Sequence, residues 1–256
     1  MVIAVLNSKG GVGKTTAAVN LAAALASPKR RILLVDLDSH AAASRWLGVP
    51  HDQLRPSIAS CLLEKYPILK AVRHTQTPHL DLITGSIELA NADLALCNVR
   101  GREAMLRRTL DRVASHFDLI ILDCPPSLSL LTVNAIVAAD GLIVPVVPEP
   151  MVAEGLDTLL ASIERVRIRM ASRGKVIGIL LSAIDPHRRH MREVAERLRA
   201  EHRDEVFHTE IRHTAMLSAA PAARKPIAAF APKSASADLF RRLAGEVLQR
   251  LPSLRH

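Results

Sequence analysis

The sequence predicts an α/β protein built on a doubly wound, mostly parallel sheet with helices on both faces. Three observations carry this. Apolar runs of strand length recur along the chain, longer segments of helical period separate them, and the runs are continuous rather than alternating, as in strands covered on both faces. The strands are expected at 2–6, 31–36, 80–84, 118–123, 141–147 and 176–183. Helices are expected over 13–26, 102–115, 129–139, 153–171, 190–201 and 236–251. Pro125, Pro126, Pro145, Pro148 and Pro150 fall where strands end and the chain turns over the sheet edge. Between residues 48 and 79 the pattern weakens to short helices.

Composition narrows the class further. A chain of 256 residues, 49% of them hydrophobic, is long enough to fold as a single domain, 1–256, without staples. Cys61, Cys97 and Cys124 are odd in number and far apart, with no C-x-x-C pair, which fits a reducing cytosol. The N-terminus lacks a basic leader, and no apolar run approaches the ~18–20 residues of a membrane span. A soluble, cytoplasmic protein is expected. With its first strand expected from residue 2, DNA binding is expected to come from this domain itself and not from a preceding helix-turn-helix module. The net charge of +9 favours a polyanionic partner, and charge alone does not choose between DNA, RNA and anionic lipid. From His187 onward there are 14 Lys and Arg against 8 Asp and Glu, whereas the earlier residues hold 20 against 17. The basic character therefore lies in the last quarter of the chain.

The strongest chemical signal follows the first strand: Lys9, Gly10, Gly11, Val12, Gly13, Lys14, Thr15 and Thr16. Glycines at these spacings let successive N–H groups point at phosphate oxygens, and the following helix adds its positive end. Lys14 is expected to reach the β and γ phosphates of ATP, and the Thr15 hydroxyl to bind Mg²⁺. Asp123, closing the buried run 119–122, sits where a second magnesium-holding carboxylate belongs. The motif follows a strand, opens a helix and has an acid at another strand end, the context of a P-loop NTPase. Asp36 and Asp38 end the second strand and by period 2 point to one side.

The extra lysine at the start of the loop, Lys9, makes the chain resemble the deviant Walker A ATPases of the ParA and MinD type. The resemblance runs through Val35-Asp-Leu-Asp38, Leu122-Asp-Cys-Pro-Pro-Ser127, Leu131-Thr-Val-Asn134, Ala139-Asp-Gly141, Pro145-Val-Val-Pro148, Glu154-Gly155 and Lys225-Pro-Ile227. The Asp-Cys-Pro-Pro-Ser stretch leans toward ParA. The resemblance implies an ATP-bound sandwich homodimer in which Lys9 reaches the partner's nucleotide. It also implies Asp38 positioning the attacking water and Asp36 in the magnesium shell, with slow hydrolysis to ADP stimulated by a ParB-like or other adaptor protein. A lysine that contacts a second subunit's phosphates would gain a charge-assisted bond only when ATP is present. One departure stands out. The family commonly follows the second Asp with Pro-Gln-Gly-Asn, where this chain has Ser39-His-Ala-Ala42, so the hydrolytic switch is altered. His40 has two readings, a hydrogen bond near the γ phosphate or, the more ordinary one, a plain loop residue.

ParA-like proteins bind double-stranded DNA without sequence preference, which would make this chain nucleoid-associated. The candidates here are Arg188, Arg189, Arg192, Arg212, Arg224 and Lys225. Arginine forks suit phosphate oxygens and position without reading bases. Glu193, Glu196 and Glu201 offer intrahelical partners, so a solvated ion-paired face is the competing reading for any one arginine. Aromatics are only 2% of residues, which argues against a stacking platform for single strands. Two other functions compete. A MinD-like membrane switch needs an amphipathic anchor, and residues 239–251 read as the last packed helix. A metabolic ligase or an iron–sulfur reductase needs a small-substrate pocket or bridging cysteines, and Cys124 reads as a packed residue.

Overall fold

The computed structural model describes residues 1–149, 155–185 and 187–251. Seven strands form one sheet in the order β3-β4-β2-β5-β1-β6-β7. They are β1 (Val2–Val5), β2 (Ile32–Asp36), β3 (Arg73–His74), β4 (Leu80–Ile83), β5 (Leu119–Asp123), β6 (Gly141–Val146) and β7 (Lys175–Leu181). Every neighbouring pair is parallel except β3 with β4. β3 is the strand the sequence did not signal, because two residues, one of them exposed, leave no apolar run.

The continuous apolar runs have a direct cause: alternate residues of each central strand enter different cores. Ile3, Val5, Ile32, Leu34, Leu119 and Ile121 pack on one face with the helices Lys14–Leu25 and Ala235–Arg250. Ala4, Leu33, Val35, Ile120 and Leu122 pack on the other, against Leu130–Ala138, Leu156–Arg169 and Arg189–His202. At ~25 cal/mol per Å² of apolar surface removed from water, such doubly covered strands are the main source of stability.

Expected and observed helices agree at most positions. Pro150, Ala153 and Glu154 lie outside the described residues. The helix expected over 102–115 is instead broken into Arg102–Ala104, Met105–Leu110 and Ala114–His116. Asn134 explains its first break, accepting from Leu106 N at 3.0 Å and donating to Arg102 O at 2.9 Å, so its carboxamide replaces a turn of the helical ladder. Pro145 is tolerated inside β6 because β1 pairs only as far as Ile143. Among the described residues no helix is long and apolar enough to cross a membrane. The apolar face of Ala235–Arg250, including Phe240, Leu243 and Val247, is fully buried, so that helix is a packed element.

Parallel strands bring their carboxyl ends to one edge. Val5 is level with Asp123, and Asp123 with Asp36, so the turn that follows β1 begins beside two aspartates. In open sheets this edge, where strand order reverses about the first strand, is where ligands bind.

Candidate nucleotide site

The loop after β1 is pinned before it bends. Buried Asn7 donates to Pro145 O at 2.7 Å, and its carboxamide oxygen accepts from Lys9 N at 3.0 Å. Gly11 and Gly13 then take left-handed φ of 74° and 83°, which side-chain-bearing residues rarely adopt, and the helix starts at Lys14. Ser182, just past β7, donates to Val12 O at 2.7 Å and holds the bend from the other side. Asn7 and Ser182 carry no sequence signature. Only the parallel pairing of β1, β6 and β7 makes them functional neighbours.

Lys14 is buried, with Nζ donating to Lys9 O at 2.7 Å. Burial lowers its pKa, and the charges of Asp123 and Asp38 oppose that fall. Asp123 is fully buried, and neither carboxylate oxygen makes a hydrogen bond of ordinary geometry. Its pKa is pushed well up, first by burial and then by Asp36, while the nearby Thr15 hydroxyl and Lys14 pull it down. Two orphaned buried oxygens beside a threonine hydroxyl and a lysine suit a hydrated divalent cation. Among the described residues no cluster of three His, Cys, Asp or Glu side chains could hold a metal by itself. A cation here would therefore depend on the phosphates it accompanies.

Asp36 differs although it sits at the same level. Its Oδ2 accepts from Ser44 N at 2.9 Å and Ser44 Oγ at 2.7 Å, and its Oδ1 accepts from Asp38 N at 3.1 Å. Burial raises its pKa to about 6 despite these bonds. The Ser44 hydroxyl also accepts from Gly85 N at 3.0 Å. A Cβ on Gly85 would stand 2.5 Å from Asp38 O and 3.0 Å from the Asp36 carboxylate, so only glycine fits under the aspartate turn. Ser44 and Gly85 also escaped sequence reading: one lies in a short helix and the other beyond β4, in register with nothing obvious. Asp38 is mostly covered, and its Oδ1 accepts from His40 N at 2.9 Å and lies 3.0 Å from His40 Nδ1.

The loop 9–16, Asp36, Asp38 and Asp123 thus meet at one edge. The six basic candidates do not share one place. Arg188 lines a cleft of about 340 Å³ with Lys9 and Gly10, and pairs with Asp185 at 3.4 Å. Arg212 lines a second cavity of about 230 Å³ that Gly13, Thr16, Ala17 and Leu217 also border. It arrives there because Ile211 N donates to Leu181 O and His213 N to Ile184 O, which lays this segment along the end of β7. Arg189 and Arg192 are exposed on the helix Arg189–His202, and Arg189 pairs with Glu193 at 2.7 Å. Arg224 and Lys225 are exposed, but the Lys225 carbonyl accepts from the Trp46 indole at 2.8 Å, and Ile227 N donates to Asn20 at 2.7 Å. The Lys225-Pro-Ile227 segment therefore clamps the helix that follows the loop. Cys124 is buried, and burial pushes its thiol far up, away from thiolate chemistry.

Fold and site together define a class, the P-loop nucleoside triphosphatases. A family model described as "AAA domain" matches residues 1–175. The chain is 37% identical over 246 residues to the sporulation initiation inhibitor protein Soj of Bacillus subtilis, covering 96% of this chain and 97% of that protein. It is also 37% identical over 249 residues to the chromosome partitioning protein ParA of Myxococcus xanthus, covering 97% and 88%. A structure of cobyrinic acid a,c-diamide synthase from Mycobacterium smegmatis with bound ATP analog and magnesium superposes with a TM-score of 0.84 at 33% identity, covering 98% of this chain and 96% of that one. The chain belongs to the ParA/MinD-type ATPases.

Proposed function

We propose that this chain is a ParA-like ATPase that dimerises around ATP, binds DNA without sequence preference, and is released by partner-stimulated hydrolysis. Such a cycle would segregate or position a plasmid, a chromosome or a protein cargo. The observation that carries the reading is the pairing of a glycine-bent loop with Asp123, whose buried oxygens make no hydrogen bond of ordinary geometry among the described residues.

In this reading the loop amides and Lys14 hold the phosphates. Thr15 and Asp123 would hold Mg²⁺, which would neutralise charge that develops on the leaving group. Asp36, already committed to Ser44 and Asp38, stands behind as a brace for that shell. Asp38 orients the water. As the water oxygen bonds to the γ phosphorus, the bond to the bridging oxygen breaks, ADP leaves with its electron pair, and the water's proton passes to the released phosphate. A carboxylate is a weak base, so the uncatalysed-by-partner rate is slow. In this reading the cavity bordered by Thr16, Ala17 and Leu217 takes the adenine base, with Arg212 at its edge. Lys9 serves the partner subunit, and the DNA footprint centres on Arg189 and Arg192 with Arg224 and Lys225. An adaptor of ParB type would supply the stimulus.

The test is ATP-dependent association. Light scattering and DNA co-sedimentation with ATP and magnesium should show dimers and bound DNA, both lost in Lys14→Ala, with dimers weakened in Lys9→Ala. Binding to anionic liposomes and not to DNA would replace this with the membrane reading. The likeness to the M. smegmatis structure favours a second reading, ATP-dependent amidation of a carboxylic acid. ATP turnover that needs an acid and an amine, and ignores DNA, would establish it.

A further inference from the structure

The altered segment Ser39-His-Ala-Ala42 does more than replace the family's usual residues. Asp38 Oδ1 lies 2.9 Å from His40 N and 3.0 Å from His40 Nδ1, so one oxygen meets both the backbone and the ring of the same residue. The turn is closed by Ala41 N donating to Asp38 O at 3.0 Å, with Ala41 buried at a left-handed φ of 51°. On its other side Asp38 N donates to Asp36, and Gly85 leaves no space beneath the Asp38 carbonyl. The aspartate backbone is therefore fixed from three directions. What remains to be set is the side chain, including the rotation about Cβ–Cγ that exchanges Oδ1 and Oδ2.

The amide contact is one that any residue but proline could make at position 40. The ring contact is not. The His40 side chain is 78% exposed while that of Asp38 is 14% exposed, so the ring leans in from solvent onto a covered carboxylate. A neutral imidazole with its proton on Nδ1 donates to Oδ1 and leaves Oδ2 as the sole acceptor for a water.

We propose that His40 is a positioning residue for hydrolysis: its Nδ1–H holds Asp38 Oδ1 so that Oδ2 faces the attacking water. The inference rests on the ATPase reading above, and it gives the altered switch segment its own way of ordering the carboxylate. His40 touches neither nucleotide nor water in this scheme and acts only through Asp38.

The geometry dictates which substitutions preserve the contact. An asparagine amide nitrogen stands at the δ position, as Nδ1 does, and can donate to Oδ1. A glutamine amide nitrogen stands one bond farther out, so it does not overlay Nδ1 in the same turn. Steady-state ATP turnover with magnesium and DNA should show kcat lowered about 10-fold in His40→Ala and His40→Gln, the loss of an oriented carboxylate. KM, and the affinity for a non-hydrolysed ATP analogue, should stay within about twofold of wild type in both, since the contact serves the transition state only. His40→Asn should recover most of the lost kcat. Thermal melts of the three variants should coincide, because the ring is exposed. Turnover in His40→Ala equal to wild type overturns the inference and leaves the ATPase reading intact. An equal loss in all three variants overturns it too, since the Asn donor would then have failed. Wild-type protein that binds ATP and never hydrolyses it overturns both.

Discussion

The edge of the sheet around the loop and the basic C-terminal region handle charge in opposite ways. At the edge, Lys14, Asp36 and Asp123 are buried within one site. On the helix Arg189–His202, Arg189 is 86% exposed and its partner Glu193 58% exposed, one turn apart. A buried charge must be matched by something specific, a ligand or a donor, because its desolvation is severe. An exposed pair contributes only ~0–1 kcal/mol and gives way readily to another partner. The first region therefore encodes a particular ligand. The second encodes only a preference for anions.

The sharpest way to break that comparison is to remove a charge from the buried set. Lys14→Ala deletes a cation that two aspartates favour against the cost of its burial, and it leaves Asp123 without that neighbouring charge. The loss of ATP affinity, measured by isothermal titration with magnesium present, should be ~100-fold or more. A loss under ~10-fold would mean that the loop amides alone supply the binding.

Asp123→Asn should weaken magnesium-dependent ATP binding yet stabilise the nucleotide-free protein. Burial raises the folded pKa of Asp36 from the ordinary carboxylate value of about 4 to about 6. Between those values the folded state keeps a proton that the unfolded chain has lost, so stability falls as pH rises from about 4 through about 6. Asp123, pushed well up by burial and then by the Asp36 charge, adds to that decline as pH rises. Removing the Asp123 carboxylate should raise the stability of the nucleotide-free protein by ~1–3 kcal/mol at pH 7.5, and flatten the decline with pH. Urea unfolding at a series of pH values checks both, and an unchanged slope would remove the carboxylate pair as its cause.

These two residues were legible in the sequence for a physical reason. A glycine-rich turn between strand and helix, and an acid closing an apolar run, are local patterns whose geometry follows from backbone conformation. Asn7, Ser44, Gly85 and Ser182 were not legible, because each acts across strands distant in the chain. Only pairing and register bring them to the loop. Arg188 and Arg212 read as members of a DNA patch from the ParA-like resemblance and the local charge, and in the structure each lines a cavity beside the loop. Charge counts locate a basic region but not the direction of a side chain.

Gly85→Ala extends the comparison to a neutral residue that serves the buried charges. Its Cβ would fall 2.5 Å from Asp38 O, backbone that cannot yield without moving the aspartate turn. ATP turnover should drop by ~10-fold or more through misplaced Asp38, with ATP affinity falling less. A variant with normal kcat would show that the turn relaxes without displacing the carboxylate.

The smallest effects belong to the exposed arginines. Arg189→Ala with Arg192→Ala removes two cations that the fold does not need, so thermal stability should stay within ~0.5 kcal/mol of wild type. DNA affinity should fall several-fold and by the same factor on unrelated duplexes, because phosphate contacts read no bases. If both arginines meet phosphates, the slope of log affinity against log salt should shrink by about 1.8. Arg212→Ala is the control that divides the basic set. It borders the cavity beside Thr16 and Ala17, so it should weaken ATP binding at a fixed DNA salt slope. A variant with the opposite pattern would return Arg212 to the DNA surface, and with it the simple view that every arginine of this region serves the same partner.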